Sequence, residues 1–179
     1  MTGLHMGFRV PPQSKNKIQT IANNARAALN LPAGPLDAER LLERLHAFGI
    51  VVDVFDRASA PVPKEVEACW VPSANTLYIR DTVYADICSG GPRGRFTVAH
   101  ELGHIILAHQ TTANRESSAV DMKKYENSEW QANTFASEFL MPESEIRFLN
   151  LRTPQAVEKH FKVSYQAAEI RVKNVWGMH

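Results

Sequence analysis

Residues 95–109 read RFTVAHELGHIILAH, which places His100, Glu101 and His104 in the order His-Glu-x-x-His within an apolar run. Val98, Ala99, Leu102, Ile105, Ile106 and Leu107 surround the motif, and Glu101 is the one Asp, Glu, Lys or Arg between Phe96 and Ala108. Such a pattern predicts a helix with its back in a core. Histidines four apart lie one turn from each other on one helical face, so both imidazoles can reach a single metal ion at about 2.0 Å, and the intervening glutamate stands beside the first of them as a base for water. The spacing therefore predicts a zinc site together with its proton acceptor, Glu101.

A catalytic zinc keeps three protein ligands and leaves a further position open. After His109 the next histidine is His160, whereas Glu126, Glu129 and Glu138 lie in or beside a second helix-like run, EWQANTFASEFL at residues 129–140. A His, His, Glu set is therefore expected. Glu129 is the best candidate, because Asn133 follows one turn later on the same face and is placed to hydrogen-bond a ligand histidine from behind. Glu138 is the fallback ligand, and Glu126 reads as a solvated loop carboxylate.

These two motifs, RFTVAHELGHIILAH and, after a polar interval, YENSEWQANTFASEFLMP, resemble the ImmA/IrrE family of zinc metallopeptidases. The similarity continues in a first helix starting near Pro12 and Ser14, a helix opened by Pro35 and Asp37 that contains LLERLHAFGI, a strand pair ending in LYIRD, and the closing FKVSYQAAEIRV. It covers nearly the whole chain. The resemblance implies a compact gluzincin-like peptidase domain with Zn2+ as cofactor, and it makes Glu129, the first residue of a Glu-x-x-Ala-Asn pattern, the third ligand. It also implies a protein substrate, namely a helix-turn-helix repressor or an antitoxin, in transcription regulation or a toxin-antitoxin-like circuit.

With 179 residues, 44% hydrophobic and 22% charged, the chain reads as one catalytic domain over 1–179. Helices and a small sheet are expected in 1–95, the ligand helices in 95–142 and a helical region in 143–179. A formal net charge of +1 argues against a broad polyanion-binding surface, so nucleic acid is not expected as a direct ligand. No apolar run approaches the roughly eighteen residues of a membrane span, and MTGLHMGFRVPP has no charged segment followed by a long apolar core, so the cytoplasm is the expected compartment and no membrane partner is implied. Cys69 and Cys88 read as free thiols; the sharper alternative is that one caps the zinc as an inhibitory thiolate.

Apolar spacing predicts helices over 14–29, capped by Ser14, and over 37–48, closed by Gly49 in a left-handed cap. Strands over 50–55, 68–71 and 76–80, the last two flanking the turn composition PSAN, predict a three-stranded sheet beside the zinc helix. The fold class expected is α+β, a zincin-like peptidase domain with this sheet packed on helices, followed by a helix-turn-helix-like region. Residues 77–80 are the expected exposed edge on which a peptide substrate adds as a strand. SGGPRG at 89–94 lacks the ending of a phosphate loop and reads as a flexible connector, and the polar stretch 110–128 as a lid or substrate-gating loop. Tyr125 is a candidate transition-state hydrogen-bond donor. His109 is ambiguous, and His5, His46, His160 and His179 show no ligand spacing. Runs over 154–161 and 164–175 resemble half of a helix-turn-helix, but residues 150–179 carry five Lys/Arg against Glu158 and Glu169, so packing on the peptidase core is favoured. A DNA-binding or partner-binding regulator with a non-catalytic zinc is the alternative.

Overall fold

The computed structural model describes residues 7–56, 66–109 and 122–177. The first helix, α1 (Lys15–Ala28), starts where Ser14 Oγ accepts from Lys17 N, and α2 (Ala38–Leu45) where Asp37 Oδ1 accepts from Arg40 N at 3.0 Å. Each side-chain oxygen satisfies an amide that the first helical turn leaves without a partner. Gly49, at φ 75°, closes the 3-10 turn that follows α2 and turns the chain into a strand.

Three strands follow, β1 (Val51–Phe55), β2 (Ala68–Val71) and β3 (Thr76–Arg80). The PSAN turn is a 3-10 turn over Pro72–Ala74 ended by Asn75 in the left-handed region, φ 49°. The sheet order is β1-β3-β2, with β1 parallel and β2 antiparallel to β3. This corrects the sequence expectation for residues 77–80: β3 is the central strand, paired on both sides, and Leu77 and Ile79 are fully buried. The free edge that lies against the next helices is β2.

Six more helices complete the order: α3 (Asp81–Cys88), α4 (Pro92–Ile106), α5 (Ser128–Leu140), α6 (Glu143–Phe148), α7 (Pro154–Phe161) and α8 (Tyr165–Trp176). Among the described residues the class is α+β, eight helices with one small three-stranded sheet. Half of SGGPRG is not a connector but the first turn of α4, with Gly91 at the cap and Pro92 in the first helical position, where its missing N–H costs nothing. Asp86 Oδ2 accepts from Gly94 N at 2.7 Å and secures that turn. Of the polar stretch 110–128, residues 110–121 lie outside the described residues; 122–128 contain a 3-10 turn, Lys124–Glu126, and the start of α5.

The buried apolar side chains form one cluster that runs from Ile18 on α1 to Val175 on α8. Its centre is the contact between α4 and α5, where Phe135 and Phe139 stack at 5.4 Å and Ala132 meets Gly103. The α7–α8 pair belongs to the same cluster through Val157, Phe161, Ala168 and Val172, and Arg95 Nη1 ties it to α4 by donating to Lys162 O at 2.7 Å. No helix among the described residues is long and apolar enough to cross a membrane.

The approach of α4 to α5 depends on a missing side chain. A Cβ at Gly103 would lie 3.2 Å from Ala132 Cα, Ala132 O and Phe135 Cδ1, and backbone cannot yield without moving the helix. Gly103→Leu is accordingly expected to cost about 1–3 kcal/mol by overpacking, read as a lower urea midpoint with an unchanged m-value.

Candidate metal centre

His100 and His104 stand on the face of α4 that meets α5, and Glu129 lies in the first turn of α5. That turn is fixed by Asn127, whose Oδ1 accepts from Trp130 N at 2.9 Å. The three side chains converge. His100 Nε2 is 3.0 Å from His104 Nε2 and 3.3 Å from Glu129 Oε2, and His104 Nε2 is 3.4 Å from Glu129 Oε1. Two imidazoles and a carboxylate bound tetrahedrally at about 2.0–2.1 Å would hold their ligand atoms about 3.3–3.4 Å apart. The donor set and its spacing therefore fit one metal ion, and His100, His104 and Glu129 form the one such group among the described residues.

The surrounding groups prepare this arrangement. Asn133 Oδ1 lies 3.0 Å from His100 Nδ1, and a carbonyl oxygen only accepts, so Nδ1 carries the hydrogen and the Nε2 lone pair faces the cluster. Burial by itself would push the Glu129 carboxyl up, yet the nearness and charge of His100 and His104 hold it well below the usual carboxylate range. Burial pulls His100 down, but the nearness of Glu129 and the negative charges of Glu101 and Glu129 outweigh burial and raise it.

Glu101 follows His100 on α4, and its Oε2 accepts from the backbone N–H of Trp70 on β2 at 3.0 Å. Burial raises its pKa, partly offset by His104, His100 and that N–H. The bond to Trp70 shows which way β2 points its edge. Glu67 O accepts from Arg80 N on the β3 side, so by alternation Ala68 and Trp70 turn their backbone groups outward, toward α4.

Glu138, the fallback ligand, is elsewhere. It is 1% exposed and pairs with Arg171 on α8, while also accepting from Asn23 Nδ2 at 3.0 Å, Gln19 Nε2 at 3.2 Å and Glu143 N at 3.2 Å. Glu126 is tied to Arg9 at 3.7 Å and to Lys123 N. The Tyr125 ring is exposed beside Lys123 and lines an open groove of about 450 Å³ with Pro12, Lys124 and Trp130; none of its recorded contacts reaches the cluster. Cys69 and Cys88 are both free thiols. Burial and then the charge of Glu101 push the Cys69 thiol up to about 11, so without a metal beside it the thiol holds its proton at neutral pH. His160 pairs with Glu145 at 2.7 Å, His46 is exposed at the end of α2, and His5 and His179 lie outside the described residues.

Two residues without a clear sequence signal join the site. His109 Nδ1 is 3.0 Å from His104 Nδ1, and His109 Nε2 is 3.0 Å from Gln131 Oε1. Both are buried, and burial lowers the pKa of His109 to about 4, so the ring is neutral. Helical spacing does not link His109 to His104, because the helix ends at Ile106 and Ala108 turns left-handed at φ 54°.

Residues 88–173 match the family model described as the IrrE N-terminal-like domain, Peptidase_M78; the match takes in α4 to α7 and most of α8 and leaves out α1, α2 and the sheet. No curated protein matches the sequence. Among solved structures, a Mycobacterium tuberculosis transcriptional regulator is similar, with a TM-score of 0.57 and 18% identity over 86% of this chain. The similar region spans 45% of that regulator's length, and at this identity the likeness concerns the fold.

The two carboxylates of α5, Glu129 half-buried and Glu138 buried, are separable by experiment. Glu129→Ala is expected to leave the fold intact and lose metal during gel filtration against a chelator. Glu138→Gln is expected to retain metal like the wild type but to lose about 3–5 kcal/mol of stability, because it strands Arg171 in the interior.

Proposed function

We propose that the protein is a zinc-dependent endopeptidase acting on a partner protein, a reading supported by the match of residues 88–173 to the model of the IrrE N-terminal-like domain, Peptidase_M78. The observation that carries this reading is the meeting of His100, His104 and Glu129 at 3.0–3.4 Å with Glu101 beside them on the same helix. Zinc, when bound there, supplies a Lewis acid that polarises a peptide carbonyl and acidifies water.

The chain's own groups do the rest. Glu101 has one oxygen held by Trp70 N–H and keeps the other to accept the proton of water and deliver it to the leaving amine. Asn133 orients His100. A substrate segment would run along β2, where the outward N–H and C=O of Ala68 and the C=O of Trp70 offer main-chain pairing, the Trp70 N–H being held by Glu101. The Tyr125 ring stands exposed at the surface groove, and its backbone carbonyl accepts from Gln131 Nε2 at 2.8 Å.

For the substrate, the resemblance of the two ligand motifs to the ImmA/IrrE peptidases favours a helix-turn-helix repressor or an antitoxin. The alternative, a DNA-binding regulator with a non-catalytic metal, draws less support, since α7 and α8 commit Val157, Phe161, Ala168, Arg171 and Val172 to the core.

Wild type and Glu101→Gln, each with zinc quantified, incubated with a helix-turn-helix repressor encoded beside this gene, test the proposal. Equal zinc in both and cleavage slower by about 10²–10⁴-fold in the variant is the expected result. Equal cleavage by both proteins would remove Glu101 from the mechanism, and zinc without cleavage in either would favour the regulator reading.

A further inference from the structure

We propose that His109 and Gln131 are positioning residues that lock His104 in the tautomer able to bind a metal, an inference that rests on the metal-centre reading above. Gln131 is 1% exposed and uses both amide hydrogens, with Nε2 2.9 Å from Pro11 O and 2.8 Å from Tyr125 O. Carbonyl oxygens only accept, which fixes the orientation of the amide and makes Oε1 the atom that faces His109 Nε2. Since Oε1 also only accepts, His109 carries its hydrogen on Nε2.

The 3.0 Å contact between His109 Nδ1 and His104 Nδ1 needs one donor and one acceptor, and a His109 ring whose one hydrogen is on Nε2 presents its lone pair there. His104 must donate across that contact from Nδ1–H. Its own lone pair is thereby assigned to Nε2, the atom that faces His100 Nε2 at 3.0 Å and Glu129 Oε1 at 3.4 Å. With His104 in the opposite tautomer, two lone pairs would face each other at His109 and an N–H would point into the ligand cluster.

The backbone is shaped for this contact. Ala108 N bonds to Ile105 O at 3.1 Å and His109 N to His104 O at 3.0 Å, the paired bonds of a Schellman cap. Ala108 occupies the left-handed position normally given to glycine, at a cost of about 1 kcal/mol, and this reversal returns His109 to the side of His104. The ring of Phe8 meets His109 edge-on, with centroids 6.3 Å apart. The two ligand histidines are thus oriented by different devices, His100 by an amide oxygen and His104 by a second imidazole that a glutamine holds in turn.

Long-range 15N–1H side-chain correlation spectra of the metal-free full chain report each histidine's tautomer. The expected result is His104 protonated on Nδ1 and His109 on Nε2; His104 protonated on Nε2 overturns the relay. Zinc affinity from chelator competition is expected to fall about 10–100-fold in His109→Phe and to recover largely in His109→Asn, whose Oδ1 takes the place of Nδ1. A folded His109→Phe protein that binds zinc within about twofold of wild type also overturns it. Should that variant not fold, Gln131→Leu serves: loss of the acceptor should give a mixture of His104 tautomers, and an unchanged His104 signal counts against the relay. A wild type with the expected tautomers that binds no zinc overturns the metal-centre reading and the positioning role with it, whereas wrong tautomers in a zinc-binding protein overturn the relay alone.

Discussion

The close approach of α4 to α5 is the constraint on which the site depends. The ligand atoms come from both helices, two from α4 and one from α5, and they must meet within about 3.4 Å to share an ion. An α-helix with side chains is about 10–12 Å across, so two helices approach closely only where one presents bare backbone. Gly103 does so in the middle of the motif, between Leu102, which is buried, and His104, which faces the cluster. On the proposed reading, residues in one short segment thus serve the metal, the proton and the helix contact at once.

The second ligand helix shows how one element carries two carboxylates to opposite ends. Glu129 and Glu138 are nine residues apart, which at about 100° per residue places them half a turn from each other. One meets His100 and His104; the other is sealed against Arg171, Gln19 and Asn23. Breaking a buried ion pair on one side costs more than any surface pair contributes, so the Glu138 contact binds α1, α5 and α8 into one body behind the cluster. The C-terminal helices are then a buttress for the ligand helix, with Val157, Phe161, Ala168 and Val172 facing inward.

Much of this was legible because it follows from short-range periodicity. The caps at Ser14 and Asp37, the left-handed Gly49, the turn at residues 72–75 and the faces shared by His100 with His104 and by Glu129 with Asn133 all depend on residues within a few positions of each other. Strand order was not legible. Whether β2 or β3 takes the edge is decided by the parallel pairing of β1 with β3, a long-range contact with no local signature. Helices α3 and α6 escaped because each is short and buries few side chains, Val83 and Ile87 in one and Ile146 in the other, too few to set a period. His109 and Gln131 escaped for a related reason: a left-handed residue breaks the helical register between His104 and His109, and His109 meets Gln131 twenty-two residues away.

The arrangement separates what is rigid from what selects. The ligand cluster sits on two packed helices and is backed by Asn133 and Arg171, so the chemistry gains precision from elements that do not move easily. On the proposed reading the β2 edge would offer a substrate main-chain groups from Ala68 and the C=O of Trp70, and main-chain pairing recognises an extended peptide of almost any sequence. On the proposed reading a protease of this build would cut indiscriminately unless its partner were chosen by contacts away from the cleft. Selection of one repressor would then depend on surface docking that raises the local concentration of a single segment at β2, with the metal centre contributing rate and not choice.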